Sequence, residues 1–257
     1  MERCDFLPVS AEEMHERGWW WYDALVVGGD AYVDHPSFGT AVISRVLEAE
    51  GLRVAVLAQP DWHDAEAFRA MGRPRLGVFI GAGNLDSMVA HYTAAKRRRS
   101  EDFYSPGKRS GCRPDRAAIV YCNRAREAFG PDMPIILGSL EASLRRFAHY
   151  DYWDDSVRRA ILFDAPADLL VYGMGEAATI EIAHRLKKKQ SVRTMTDIPG
   201  TGYITRDPAV CKFEHITLPS FEDVRDDKRL YAEATRTEYA EHDPIRGRAM
   251  IQPCEGR

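Results

Sequence analysis

Five times along the chain a run of consecutive apolar residues ends on glycine or proline and gives way to a helical pattern. The runs are ALVVGGD from Ala24, RVAVLAQP from Arg53, RLGVFIGAGN from Arg75, PIILGS from Pro134 and DLLVYGMGE from Asp168. None alternates apolar with polar residues. Strands of that kind must be covered on both faces, which calls for a parallel sheet flanked by helices. Between the first two runs, Ala41, Val42, Val46, Leu47 and Ala49 form an apolar stripe and Gly51 supplies a stop. After the last run, EAATIEIAHRLKKK starts at Glu176 and ends in lysines, the charge order a helix dipole favours. Right-handed crossovers then predict an α/β fold with helices on both faces of a doubly wound, five-stranded parallel sheet.

The remaining segments are read around that frame. PDRAAIVYCNRAREAFG has Ala118, Tyr121, Cys122, Ala125 and Phe129 at helical spacing, with Gly130 as a stop, so it is the helix before the fourth strand. Residues 96–116 are loop-like and carry eight Lys or Arg against three acids, as a basic insertion would. The sheet domain covers 1–196. From 197 to 257 come short extended pieces, turns and an exposed helix in DDKRLYAEATRTEYAEH, an irregular C-terminal extension that reads as a linker.

Charge and cysteine usage exclude several classes. With 35 Lys and Arg against 39 Asp and Glu, the net charge of −4 gives no global field for nucleic acid or an anionic membrane. No apolar run approaches the length of a membrane span or a signal peptide, so a cytoplasmic location is expected. The five cysteines, Cys4, Cys112, Cys122, Cys211 and Cys254, show no C-x-x-C spacing, and no metal site is expected.

Ligands of doubly wound sheets bind beyond the carboxyl ends of the strands. The residues expected there are Gly28, Gly29, Asp30, Gly81, Gly83, Asn84, Gly138, Ser139, Glu141, Gly173, Gly175 and Glu176. GAGNLD and GMGEAA each lack the third glycine of a dinucleotide fingerprint, so a nicotinamide cofactor is not expected. Asp34, His35 and Ser37 add a carboxylate and imidazole for proton transfer, or, on the simpler reading, Asp34 or Ser37 caps the first crossover helix.

RRFAHYDYWDDSVRR, from Arg145, is partly explained by local structure. Asp154 or Asp155 would cap a helix in DDSVRRAILF, with Asp154 and Arg158, and Asp155 and Arg159, as i,i+4 pairs. The rings of His149, Tyr150, Tyr152 and Trp153 exceed what a solvated loop buries and point to a partner surface.

The stretches GGDAYVDHPSFGTAVISRVLEAEG, AGNLDSMVAHYTAAKRRRSEDFYSPG, RPDRAAIVYCNRAREAF, ILGSLEASLRRFAHYDYWDDSVRRAIL and DLLVYGMGE resemble the N-terminal region of YgiQ-type radical SAM proteins over nearly the whole chain. The resemblance implies a flavodoxin-like or cobalamin-binding-like Rossmann-type domain preceding a radical SAM barrel, whose C-x-x-x-C-x-x-C loop carries a 4Fe-4S cluster and S-adenosylmethionine. The sequence stops before such a loop, so those cofactors are assigned to the parent protein and none to this chain. The Asp-x-His-x-x-Gly loop of one cobalamin class is not matched, since the stretch reads Asp34, His35, Pro36, Ser37, Phe38, Gly39. Cobalamin is therefore not expected. The leading reading is a non-catalytic accessory domain that docks the C-terminal barrel of the same protein and helps enclose its substrate. The alternatives are a domain for a cobalamin- or nucleotide-like ligand, or a module whose basic insertion contacts RNA or another acidic partner, against which the net negative charge argues.

Overall fold

A computed structural model describes residues 6–243 and 245–255. The first half runs α1 (Ala11–Glu16), β1 (Ala24–Gly28), α2 (Gly39–Ala49), β2 (Val54–Ala58), α3 (Glu66–Ala70), β3 (Gly77–Gly81), α4 (Ser87–His91) and α5 (Ala117–Phe129). There follow β4 (Ile135–Gly138), α6 (Ser139–Leu144), β5 (His149–Asp151), β6 (Ser156–Arg158), β7 (Leu169–Val171), α7 (Glu176–Lys187) and β8 (Thr201–Gly202). The chain continues through β9 (His215–Thr217), α8 (Phe221–Asp226), α9 (Lys228–Ala240) and β10 (Ala249–Ile251).

The central sheet has the order β2-β1-β3-β4-β7-β8. Its first five strands are parallel, with Val26 level with Val56 on one side and Phe79 on the other. Successive strand residues serve opposite cores. Leu25, Val27, Ile80 and Leu137 pack with Phe68 of α3 and Tyr121 of α5. Val26, Val56, Phe79 and Ile136 pack with Leu47 of α2 and Ile182 of α7. Burial on both faces is the reason the strands read as unbroken apolar runs.

Two expectations are corrected. The sheet has six strands rather than five, because Thr201–Gly202 returns antiparallel along β7. An edge strand leaves backbone groups unpaired, and this short return covers them; it also carries the sheet past residue 196. The second correction concerns DDSVRR, which forms a strand and not a helix. β5 and β6 make an antiparallel hairpin, His149 opposite Arg158 and Asp151 opposite Ser156. The Asp151 carboxylate accepts from the amides of Trp153 (2.9 Å) and Asp154 (3.4 Å), and Asp155 adopts φ +50°, so a local aspartate turn wins over the helix. The Asp154 and Arg158 contact survives at 3.5 Å across the hairpin, whereas Asp155 accepts instead from the Tyr150 hydroxyl (2.5 Å).

Candidate functional site

β1 and β3 are neighbours where the strand order reverses, the place at which an open α/β sheet leaves its ligand crevice. Gly28, Gly29 and Asp30 leave β1 there, and Gly81, Gly83 and Asn84 leave β3. The two turns touch. The Gly29 amide donates to the Gly81 carbonyl (3.2 Å), and the Asn84 amide donates to the Asp30 carboxylate (2.7 Å). A Cβ on Gly29 would stand 2.0 Å from the Ala82 carbonyl oxygen, and one on Gly83, at φ +110°, 2.3 Å from Asp30. What approaches these glycines is the protein's own backbone and Asp30.

The basic insertion folds over these turns. The Ala31 amide donates to the Tyr104 carbonyl (2.8 Å), and the Gln59 side chain donates to the Ser105 hydroxyl (2.6 Å). Beneath them Arg113, wholly buried, lies 2.9 Å from Asp30 and 2.9 to 3.2 Å from both oxygens of buried Asp102. Burial pushes the Asp30 carboxyl up, against the pull of Arg113. One buried cation thus lies between two carboxylates beneath these turns. Sequence reasoning missed Arg113 and Asp102. Nothing local in SEDFYSPGKRSGCRP marks a buried pair; only Asp30, itself expected at the strand end, signalled the need for a cation.

Glu141 of α6 is buried a short way along the same edge. It accepts from the Ser87 amide (2.7 Å), the Ser87 hydroxyl and the Ala118 amide (3.0 Å), tying together the N-terminal ends of α4 and α5. Burial, and next the charge of Asp86, raise its carboxyl above the usual range. A carboxyl raised in the folded state contributes stability that is complete below its unfolded value of about 4.3 and is lost as pH rises through the folded one. Glu141→Gln is expected to cost about 1–3 kcal/mol, since its amide nitrogen would face either the Ala118 amide or the two Ser87 donors. The gap between wild type and variant should widen from pH 7 toward pH 5, as read by denaturant unfolding at each pH. A pH-independent gap would show that Glu141 does not titrate in this way.

Other expected residues fall nearby with structural duties. The Ser139 hydroxyl, on a residue at φ +72°, accepts from the Ala82 amide (3.0 Å) just after Gly138, and the Gly173 amide donates to the Ser143 hydroxyl (3.1 Å). Gly175 precedes Glu176, the first residue of α7. Asp34 and His35 do not form a carboxylate–imidazole pair. Asp34 binds Arg45 of α2, and the His35 Nδ1 accepts from the Ser37 amide (3.1 Å). Neither Asp34 nor Ser37 caps α2; its Gly39 amide donates across the crevice to the Asn84 side chain (3.4 Å). Carboxylate–imidazole contacts lie elsewhere: buried His91 with Asp115 (2.5 Å), His184 with Glu50 (2.7 Å) and exposed His63 with Asp61 (2.6 Å).

The aromatic hairpin clamps the insertion to the C-terminal helices. The Tyr152 hydroxyl donates to the Ala94 carbonyl (2.6 Å), the Trp153 ring lies 4.3 Å from that of Tyr92, and the Tyr150 amide donates to the Tyr231 hydroxyl of α9 (3.0 Å). His149 is partly buried, and that burial lowers its pKa. Asp151 is held down at about 2: partial burial, the largest single influence, works against this, but the hydrogen bond from Arg116 (2.8 Å), the charge of Arg116 and the Trp153 and Asp154 amides together outweigh it.

Cys112, Cys122, Cys211 and Cys254 are free thiols, and Cys122 is sealed in the core; Cys4 lies outside the described residues. Among the described residues no three His, Cys, Asp or Glu side chains converge as metal ligands, so these residues do not fit an iron–sulfur cluster. No helix among them is long and apolar enough to cross a membrane. A separate cavity of about 300 Å³ lies below the amino end of β7, lined by Leu162, Leu169, Val192, Arg193 and Tyr203.

The profile of the radical SAM N-terminal family matches residues 6–257. A UPF0313 protein of Clostridium botulinum strain 657 is 53% identical over 257 residues, which are 100% of this chain and 40% of that protein. One from Clostridium perfringens strain SM101 is 51% identical over 257 residues, 100% of this chain and 39% of its own length. The chain spans about two fifths of the length of the curated relatives it matches. Among solved structures, the radical S-adenosylmethionine methyltransferase TsrM from Kitasatospora setae, with cobalamin and a 4Fe-4S cluster bound, aligns with a TM-score of 0.44 at 20% identity. That alignment covers 71% of this chain and 29% of the methyltransferase.

Proposed function

This chain belongs to the radical SAM N-terminal family, and on that premise we propose that it is a non-catalytic accessory module whose carboxyl-end face docks a C-terminal radical SAM barrel. The observation that carries the reading is a contrast on one face. Arg113 lies buried between two carboxylates beneath the turns, while the turns leave Leu144 61% and Met174 87% exposed, with Val33, Val89 and Leu140 exposed beside them. Parallel strands bring all these turns to one edge of the sheet. Apolar side chains gathered on such turns suit a protein surface better than a small ligand. The occupant is the portion of the parent protein that corresponds to the remaining three fifths of the relatives. The cluster and S-adenosylmethionine belong to that portion, since the cysteines here do not fit a cluster. The exposed hairpin ring of Tyr150 forms part of the wall around the substrate.

The purified chain is expected to associate with the C-terminal part of the Clostridium botulinum relative in sedimentation experiments. Leu144→Asp with Met174→Asp should weaken that association at least about tenfold while leaving the unfolding midpoint unchanged. No association, or association indifferent to the two substitutions, would refute the docking. Saturable, tight titration of the chain with hydroxocobalamin would replace this reading with a ligand-binding one.

A further inference from the structure

The insertion separates its charges. Of its eight cations, Arg113 is neutralised by Asp30 and Asp102, and Arg116 binds Asp151 and Asp154. Asp115 is taken up by His91 and Tyr92. Exposed Lys96, Arg97, Arg98, Arg99, Lys108 and Arg109 remain, and among the described residues none of them pairs with a carboxylate. Glu101 is their one acidic neighbour within the insertion, so this patch carries +5 on a chain whose total is −4, leaving −9 on the rest.

The cations are held on ordered backbone. Isolated bridges join Tyr92 to Arg98 and Glu101 to Arg109, and Lys96 and Lys108 occupy left-handed turn positions at φ +57° and +56°. Rings stand among them. Phe103 is 73% exposed with the Lys108 ammonium 4.9 Å from its centroid; Tyr152 is 57% exposed with Lys96 at 5.4 Å. Lys96 also donates to the Trp153 carbonyl (2.7 Å) and Arg99 to the Val89 and Tyr92 carbonyls, so these two are fixed in place by backbone and carry no carboxylate, beside the exposed charges of Arg97, Arg98, Lys108 and Arg109. Cations without carboxylate partners, set among exposed rings that have one cation near a face, are what a single strand of nucleic acid requires. An acidic protein segment would use the charges and leave the rings idle.

We infer that the turns of residues 93–109, with Tyr152, form a binding surface for single-stranded nucleic acid. The surface is distinct from the apolar turns carrying Leu144 and Met174, and it stands whether or not those dock a barrel. The negative remainder of the molecule repels a polyanion and confines it to this patch.

The test titrates the 257-residue chain into a fluorescein-labelled uridine-rich RNA of about 15 nucleotides, a DNA of the same length and polyglutamate of matched charge, by anisotropy. Saturable RNA binding is expected at about 50 mM salt, weakening about sevenfold for each doubling of salt if about four phosphates are held. Arg97→Glu, Arg98→Glu and Arg109→Glu together should reduce RNA affinity at least about thirtyfold. Phe103→Ala should reduce it about five- to tenfold and leave polyglutamate unchanged. Absence of RNA binding overturns the inference, as does RNA binding that survives the charge reversal. Polyglutamate bound as tightly as RNA, with Phe103→Ala silent, assigns the patch to an acidic protein instead. If the triple variant fails to fold, the Phe103→Ala comparison and the wild-type salt slope decide. RNA and DNA bound alike identify stacking and phosphate contact; an RNA preference adds recognition of the 2′-hydroxyl.

Discussion

Replacing Arg113 by methionine is expected to lower the unfolding free energy by about 3–5 kcal/mol, a large share of the roughly 5–15 kcal/mol that holds a domain together. The substitution preserves much of the volume and removes the charge. Asp30 and Asp102, both buried, then face each other without a cation, and neither can be abandoned. Asp30 holds the Asn84 amide, and Asp102 accepts from the Tyr104 amide (3.0 Å) and the Ser105 hydroxyl (2.8 Å). Protonation relieves the unpaired charge. The Asp30 carboxyl is already raised by burial in the wild type. A raised folded-state pKa contributes stability below the unfolded value of about 3.9 and loses it as pH rises, so the deficit of Arg113→Met should shrink as pH falls from about 7 toward 5. Urea unfolding at several pH values measures both effects. A loss below about 1 kcal/mol at neutral pH would show the triad to be solvated.

Gly29→Ala is expected to cost about 3 kcal/mol, at the upper end for overpacking, because the new methyl group meets backbone and not a side chain that can turn aside. The Ala82 carbonyl oxygen stands 2.0 Å, and its carbon 2.6 Å, from the position the Cβ would take. Relief requires β1 and β3 to part at the switch point, which breaks the Gly29 to Gly81 hydrogen bond and loosens the Asn84 amide from Asp30. Gly39→Ala is the control. It lies at the start of α2 with nothing within 4 Å of its Cβ position, and should stabilise by about 0.5 kcal/mol. Thermal or denaturant unfolding of both variants tests the pair; equal, small effects would mean the two turns are not in van der Waals contact.

The parallel strands and main crossover helices were legible because their signals are local. ALVVG, VAVLA and GVFIG are apolar at every position since alternate residues serve two cores, and Ala118, Tyr121, Cys122, Ala125 and Phe129 repeat at helical spacing since α5 buries one face. The candidate site was only half legible. Its glycines and Asp30 announce themselves at strand ends. Arg113 is 83 residues from Asp30 in the chain, and its residue type alone does not tell a buried cation from a solvated one. The hairpin at His149–Arg158 was misread for a related reason: DDSVRR satisfies helix-cap and i,i+4 patterns, and the competing aspartate turn prevails where Arg116 and Tyr231 are on hand to receive it.

The sequence by itself determined the α/β class, the parallel strands, the carboxyl-end turns and the family to which the chain belongs. Each of these rests on periodicity, on glycine placement or on long matched stretches, none of which needs a distant partner. Only the tertiary structure decided that a cation of the insertion is buried against Asp30, that eight cations divide into two buried or paired and six exposed, and that Glu141 ties two helix ends. The reason is physical. Whether a charge is a structural ion, an anchor or a free contact depends on what desolvates it and what lies within a few ångströms of it, and those neighbours come from segments far apart in the chain.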